Sequence, residues 1–163
     1  MKTAIVYYSL NGNTRMIAEE IGKRLSADVI PIFPVKAFPD KGVRKFLWGG
    51  KSAAMKEEPE LIPYEFDAEN YDLIIIGTPV WASTFTPPIR TFVKQNREKL
   101  KTRKLAVFTC FSGGGADKAI ERLKEFAEVP SFEETLILVD PKTKPSPEKK
   151  AAVEEFCKKL AER

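Results

Sequence analysis

Short apolar runs alternate along this chain with segments in which apolar residues recur three or four positions apart. The first run, residues 3–8, is continuous and rich in β-branched residues, which is typical of a strand covered on both faces. Similar runs follow at 29–33, 73–77, 105–109 and 135–139. Strands that alternate with helical segments predict an α/β fold, with a parallel sheet between two layers of helices.

Two of these runs indicate their own place in the sheet. The run at 29–33 contains Pro31, which has no N–H for the strand ladder and therefore belongs at a sheet edge. The run at 73–77 is the most apolar and is predicted to be central. Pro88 and Pro147 each fit the first turn of a helix, and Cys157 lies on the apolar stripe of the last helix, so we expect it in the core.

The segment between the second and third runs is longer than one crossover helix needs, at about forty residues. It contains apolar residues around Phe46 and then Trp48-Gly49-Gly50. Glycine inside a helix costs about 1 kcal/mol relative to alanine, so a break is predicted at this pair. A lid over a site and a second short packing helix both fit this segment.

Length and composition favour one domain over residues 1–163 with a core of ordinary size. Met1-Lys2 leads directly into the first strand, which leaves no room for a secretory signal, and no apolar run approaches the length of a membrane span. Two cysteines give no disulfide framework. We therefore expect a cytoplasmic protein without a membrane association.

Charge and residue types exclude several kinds of chemistry. The net charge is +4, but basic and acidic residues are interspersed, so nucleic-acid binding is not favoured. The chain has no histidine, which removes the usual general base and the commonest metal ligand. We assign no catalytic residue and no metal site. Any chemistry must come from carboxylates, hydroxyls, a thiol or a bound cofactor.

Three unusual loops follow strands whose carboxyl ends share one edge of the predicted sheet, where ligands bind in such folds. The loop at 9–14 joins a strand to a helix N-terminus, which suits a phosphate dianion, although an ordinary capped turn has the same composition. The loop at 78–87 places Trp81 between prolines, and the loop at 110–115 contains three consecutive glycines. A pocket with a phosphate end, an aromatic face and a backbone rim suits a mononucleotide with a large planar ring.

These three loops, in this order, make the chain similar to the flavodoxin family in its short form. The resemblance covers essentially the whole length and implies a three-layer sandwich around a five-stranded parallel sheet of order 2-1-3-4-5, with FMN as the cofactor. It implies that Ser9, Asn11, Asn13 and Thr14 bind the FMN phosphate, that Trp81 packs against the ring, and that the glycine loop meets the ring's pyrimidine edge. The implied cofactor-binding residues are Ser9, Leu10, Asn11, Gly12, Asn13, Thr14, Thr78, Pro79, Val80, Trp81, Ala82, Cys110, Phe111, Ser112, Gly113, Gly114 and Gly115. Phe85, Phe111, Trp48 and a neighbouring subunit are all candidates to cover the ring's second face.

The chain departs from the family pattern in two places. Asn11 stands where the family usually has threonine, and an amide can still donate a hydrogen bond. Flavodoxins are typically acidic, whereas this chain is basic, so we expect either a redox partner protein with an acidic surface or an anionic substrate.

The resemblance implies an electron carrier that shuttles electrons between redox partners. An FMN-dependent oxidoreductase that acts on a quinone with NAD(P)H is the alternative, and a cofactor-free interaction module is a third possibility. A response-regulator receiver is excluded because Ser9 and Gly77 stand where it needs acidic residues. A low-molecular-weight phosphatase is not favoured, because no arginine follows Cys110 at the required place.

Overall fold

The computed structural model describes residues 1–163 as a parallel β-sheet between two helical layers. The strands are β1 Thr3–Tyr7, β2 Asp28–Pro31, β3 Leu73–Trp81, β4 Thr84–Phe85, β5 Lys104–Phe111 and β6 Thr135–Val139. The helices are α1 Asn13–Leu25, α2 Gly42–Ala54, α3 Pro87–Leu100, α4 Ala116–Ala127 and α5 Pro147–Ala161, with a 3₁₀ turn at Ala68–Asn70.

The five parallel strands have the order β2-β1-β3-β5-β6, and the short β4 pairs antiparallel with β3. Without β4 this is the predicted order 2-1-3-4-5, and the predicted α/β sandwich is confirmed. Pro31 lies in the edge strand β2, and β3 is central, as the sequence predicted. None of the five α-helices combines the length and the apolar character that a bilayer span requires.

Two apolar clusters, one on each face of the sheet, hold the layers together. Alternate residues of β3 point to opposite faces, so that Ile74 and Ile76 belong to one cluster and Ile75 to the other. The first cluster includes apolar residues of α3 and α4, and the second includes those of α1 and α5. The predicted stripe of the last helix is confirmed, since Val153, Phe156, Cys157 and Leu160 are all buried.

The predicted loop after the third strand is wrong in its first half, because β3 continues to Trp81 and turns back into β4. Ala82 and Ser83 form this tight turn with φ of 50° and 57°. Left-handed φ at two successive residues is the geometry of a two-residue hairpin turn, which usually selects glycine or asparagine. The result is a rigid hairpin at the carboxyl edge of the sheet.

The predicted break at Gly49-Gly50 is also wrong, since α2 runs through both residues. A Cβ atom at position 49 would lie 3.2 Å from the Trp81 ring. Glycine therefore permits this close approach, and packing against Trp81 offsets its low helix propensity. The buried face of α2 consists of Gly49, Ser52 and Ala53, while most of its apolar side chains, including Phe46, are exposed.

Candidate functional site

The first end of the candidate site is the turn from β1 into α1. Gly12 is the N-cap, with φ of 91°, and its N–H donates to Ser9 Oγ at 3.1 Å. This left-handed conformation suits glycine because it has no Cβ. Among the first-turn N–H groups of α1, only Met16 has a backbone partner, Gly12 O at 3.0 Å. The others converge with the positive end of the helix dipole on one point, which is an anion site.

Thr14 adds a hydroxyl to this anion site. Its side chain lines the cleft and is only 1% exposed, yet Oγ1 has no nitrogen or oxygen partner within the protein and lies beside the Cys110 thiol. A buried hydroxyl without a partner is costly, and native structures retain such a group where a ligand completes it. A phosphate oxygen can accept a hydrogen bond from this hydroxyl, and for this reason the residues of the cleft fit a phosphate group.

Lys142, in the loop between β6 and α5, is a charge that the sequence analysis did not assign to the site. Its backbone N–H donates to Asn13 Oδ1 at 2.9 Å, and Nζ donates to Asn11 O at 3.3 Å. The ammonium group therefore lies over the turn. Its Nζ is 3.0 Å from the position that a Cβ of residue 12 would occupy. A cation at this place adds to the attraction for an anion.

An aromatic wall forms the middle of the site. Trp81, at the end of β3, meets Tyr8 and Phe38 edge-on, with ring centroids 5.8 Å and 5.2 Å apart. Gly49 of α2 lies directly against its ring. Tryptophan is thus fixed in orientation by its neighbours while part of its surface borders the cleft.

The glycine loop after β5 forms the opposite wall. Ser112 Oγ donates to Asp140 Oδ1 at 2.5 Å, which ties this loop to the end of β6 and holds the pKa of Asp140 below its ordinary value. Gly113 and Gly114 have open space around them. Gly115 has a φ of 87° and packs closely against Ser83. A Cβ atom at position 115 would lie 2.9 Å from the Ser83 Cα. The loop is therefore anchored at both ends and open in the middle.

These walls enclose a cleft of about 390 Å³, within the usual range for small-molecule sites. Most of the residues implied by the flavodoxin resemblance line it, and three do not. Thr78 is buried, with its hydroxyl 3.2 Å from that of Thr86, while Gly12 and Gly115 form the caps of α1 and α4. The lining also includes Lys45 and Ser83, to which the sequence analysis assigned no role, and Phe46 and Gly50, which belong to the segment that fitted either a lid over a site or a second packing helix.

The structure shows which of the aromatic residues that could cover a planar ligand line the cleft. Phe85 is excluded because it is fully buried in the core, at 1% exposure. Trp48 does not line the cleft and instead lies near Lys36, whose Nζ is 5.3 Å from its ring. Phe111 and the exposed Phe46 of α2 do line it. No sequence signal distinguished Phe46 from Trp48, because the register of α2 against β3 is a tertiary feature.

Cys110 is the one thiol in the cleft. It is buried, and this burial raises its pKa to about 12. The group is therefore a neutral thiol at physiological pH, which disfavours a nucleophilic role.

Comparisons with known proteins agree with this architecture. The family model described as flavodoxin domain matches residues 53–136, just over half of the chain. A flavoprotein from Lactobacillus acidophilus, solved in complex with FMN, is 22% identical with a TM-score of 0.71, over 95% of this chain and 97% of that one. The two-electron reduced flavodoxin of Megasphaera elsdenii is 22% identical with a TM-score of 0.59, over 96% of this chain and 99% of that one.

Flavodoxin 1 of Bacillus cereus, in its oxidised form, is 16% identical with a TM-score of 0.62, over 100% of this chain and 99% of that one. Curated protein sequences gave no match. The solved structures agree with the fold along nearly the whole chain, and the family model covers more than half of it. This chain therefore belongs to the flavodoxin domain family.

Proposed function

We propose that this chain is an FMN-binding electron-transfer flavoprotein that carries electrons between redox partners. The observation that carries the proposal is the cleft itself. It joins unpaired first-turn N–H groups and the unpaired Thr14 hydroxyl to an aromatic wall, at the edge of the sheet where β1, β3 and β5 end. The FMN complex of the similar Lactobacillus flavoprotein supports the choice of ligand.

The polar end of the cleft suits the FMN phosphate. The hydroxyls of Ser9 and Thr14 and the amides of Asn11 and Asn13 line this end. Together with the free N–H groups of α1 they can satisfy several phosphate oxygens, each by a charge-assisted hydrogen bond. Lys142 balances part of the phosphate charge from outside the cleft.

The remaining walls suit the isoalloxazine ring. The segment Pro79–Ala82 offers an apolar edge with Trp81, and Phe111 lies across from it. Gly113 and Gly114 carry no side chain that would keep a ring edge from their backbone N–H groups. Bound FMN would supply the redox chemistry, and the protein would orient the ring, exclude water and set its electrostatic surroundings.

A carrier is favoured over an oxidoreductase because Cys110 in the cleft, and Tyr8 and Asp140 beside its walls, are not poised to transfer a proton at neutral pH. Burial raises the pKa of Cys110 to about 12 and also raises the pKa of Tyr8 behind Trp81. The pKa of Asp140 is lowered by its hydrogen bond with Ser112, so this carboxylate stays ionised. None of these groups has a pKa matched to general acid–base work.

The partner that we propose is a redox protein with an acidic surface. Basic residues crowd the rim around α2, where Arg44, Lys45 and Lys51 lie on one exposed helix. Exposed apolar residues, Val43, Phe46 and Leu47, lie among them. A positive rim around an apolar patch attracts an acidic surface and then excludes water from the contact.

One experiment tests both the carrier role and the charge of the partner. The FMN-loaded protein is reduced chemically and mixed with acidic and basic redox proteins of similar potential. We expect faster electron transfer to the acidic acceptors, at a rate that falls as ionic strength rises. In parallel, NAD(P)H oxidation with and without a quinone should be slow. Rapid NAD(P)H turnover would instead identify an FMN-dependent oxidoreductase, and a preparation that takes up no FMN would contradict the proposal.

Lys142→Met tests the proposed contribution of the cation over the phosphate turn. We expect FMN to bind roughly two- to fivefold more weakly, because an exposed ion pair is worth little in water. Riboflavin affinity should not change, and the effect on FMN should shrink in high salt. Lys144→Met is the matched control, since Lys144 lies in the same loop but pairs with Asp140 at 3.4 Å. Equal losses in both variants, measured by fluorescence titration, would remove Lys142 from the phosphate site.

A further inference from the structure

A second cleft lies on the far side of the β3–β4 turn from the proposed FMN site. Its volume is about 510 Å³, and we call it the arginine cleft. It shares only Ala82 with the first cleft. Its lining is basic: Lys56, Arg90 and Arg122 face it, with Glu125 as the acidic residue. The residues that line it are Ala53, Ala54, Lys56, Ala82, Thr84, Arg90, Arg122, Glu125 and Phe126.

Arg90 is the unusual member of this cleft. It lies in the first turns of α3 and is only 6% exposed. Its guanidinium lies between two rings, 4.3 Å from the centroid of Phe85 and 4.6 Å from that of Phe126. No side-chain hydrogen bond or ion pair of Arg90 exists within the chain, although guanidinium groups at such burial are normally paired.

The acidic residues nearby do not supply the missing partner. Glu58 is paired with Lys94, whose Nζ lies 2.5 Å from its carboxylate. Glu125 lines the cleft but makes no ion pair with either arginine. The cleft therefore keeps an excess of positive charge. Burial lowers the pKa of Arg90, and the charge of nearby Glu58 offsets only part of this effect.

A second buried polar group in the cleft also lacks a partner. Thr84 Oγ1, on β4, is buried and makes no hydrogen bond. Together with the guanidinium of Arg90, which lines the cleft and has no partner within the chain, this hydroxyl leaves two groups that one ligand can complete. A ligand that satisfies both must accept hydrogen bonds and carry negative charge.

We propose that the arginine cleft binds the phosphate group of a small molecule, held by Arg90 and Arg122 and completed by the Thr84 hydroxyl. Arginine donates through a planar fork that matches the spacing of phosphate oxygens, and the two flanking rings hold the Arg90 fork in one plane. Three basic side chains against one acidic side chain favour a dianion over a monoanion. The source is either free orthophosphate or a phosphate ester such as a nucleotide.

Arg122 connects this site to the wall of the FMN cleft. Its Nη1 donates to Ser83 O at 2.9 Å and to Ala82 O at 3.4 Å. Both residues are in the left-handed region, in the turn between the two clefts. A phosphate that takes hydrogen bonds from Arg122 therefore competes with these carbonyl groups, and its arrival is reported by the amides of the turn.

The test is an NMR titration of the full chain, saturated with FMN so that the first cleft is filled. The arginine Nε–Hε signals and backbone amides are followed as orthophosphate is added at constant ionic strength. We expect saturable shifts at Arg90, Arg122, Ser83 and Thr84. Absence of these shifts, or uniform shifts that never saturate, would overturn the proposal. If FMN fails to bind, the NMR signals still distinguish the two clefts, because orthophosphate bound at the N-terminus of α1 would shift the amides of residues 11–14 instead.

Three variants make the assignment specific. Arg90→Met keeps an unbranched side chain between the two rings and should weaken phosphate binding by at least about tenfold. Arg122→Gln, at the cleft mouth, should weaken it as well and serves if Arg90→Met does not fold. Arg97→Met is the control, since Arg97 also lies 4.5 Å from the Phe126 ring but pairs with Glu128. Unchanged binding in both cleft variants, or equal loss in the control, would contradict the proposal.

A comparison of ligands identifies the source of the phosphate. NADP⁺ and NAD⁺ differ by one phosphate monoester, so the pair isolates that group. Shifts of Arg90 and Arg122 at lower concentrations of NADP⁺ than of orthophosphate, with none from NAD⁺, would support a phosphate ester. Equal affinities for NADP⁺ and orthophosphate would support free phosphate. Binding of NAD⁺ and NADP⁺ with equal affinity, without orthophosphate binding, would overturn the proposal.

Discussion

FMN is expected to bind this chain at least about a hundredfold more tightly than riboflavin, which differs from it by the phosphate. The N-terminus of α1 presents several unpaired N–H groups and the buried Thr14 hydroxyl, and Lys142 lies above them. Each hydrogen bond to a charged group contributes about 1.5–3 kcal/mol, so even two net bonds account for this ratio. Fluorescence titration of the protein with each flavin measures it. Equal affinities would show that the turn is not the phosphate site.

Thr14→Val separates the hydroxyl from the fold around it. The replacement keeps the shape of the side chain and removes the unpaired oxygen, so FMN affinity should fall roughly ten- to a hundredfold while riboflavin affinity stays the same. Stability without FMN should fall little, because the oxygen has at most a weak contact with the Cys110 thiol to lose. Thr109→Val is the matched control: Thr109 is also buried with an unpaired hydroxyl, but it does not line the cleft.

Gly12→Asp should abolish measurable FMN binding through charge, and Gly12→Ala shows how much of the loss is strain. Both variants place a side chain at φ of 91°, which costs about 1–2 kcal/mol for a residue with a Cβ. Both also place a Cβ 3.0 Å from Lys142 Nζ, so that Lys142 must shift slightly in either variant. Only the aspartate adds a negative charge that repels the phosphate. If the alanine variant loses as much affinity as the aspartate variant, the charge argument is wrong.

The sequence predicted the parts of the fold that depend on local pattern. Apolar runs located all five parallel strands, and the missing N–H of Pro31 placed β2 at an edge. The order of the strands came from the resemblance to flavodoxins, because periodicity alone does not determine which strands pair.

What the sequence could not predict depends on contacts between distant segments. Ala82 and Ser83 do not signal a left-handed turn, so the hairpin was missed. The glycine pair in α2 signals a break unless the ring of Trp81 is known to lie against it. Lys142 reaches the phosphate turn from more than a hundred residues away along the chain. Each missed feature lies at the candidate site, where local preference and tertiary packing disagree.

Trp81→Ala is expected to change both the stability of the protein and the properties of bound flavin. The indole is held between Tyr8, Phe38 and Gly49 while part of it borders the cleft. Its removal should weaken FMN binding, since aromatic stacking adds about 0.5–1.5 kcal/mol beyond burial. Flavin fluorescence should rise because a quencher is lost. Full reduction should become easier, because water gains access and the π-density that disfavours a negatively charged ring is gone.

A purely structural role for Trp81 is the alternative explanation, because Trp81→Ala also removes the packing of the indole against Tyr8, Phe38 and Gly49. Truncating a core tryptophan to alanine costs about 3–5 kcal/mol, and the half-buried Trp81 should contribute no more than this to the stability of the fold. Thermal unfolding without FMN should therefore shift downward whichever role is correct. The flavin signals decide between the roles: bound FMN that keeps its fluorescence and midpoint potential in Trp81→Ala would leave Trp81 as a packing residue beneath α2. Trp48→Ala is the control for tryptophan loss near the site, since Trp48 lies on α2 without lining the cleft, and it should leave both signals unchanged.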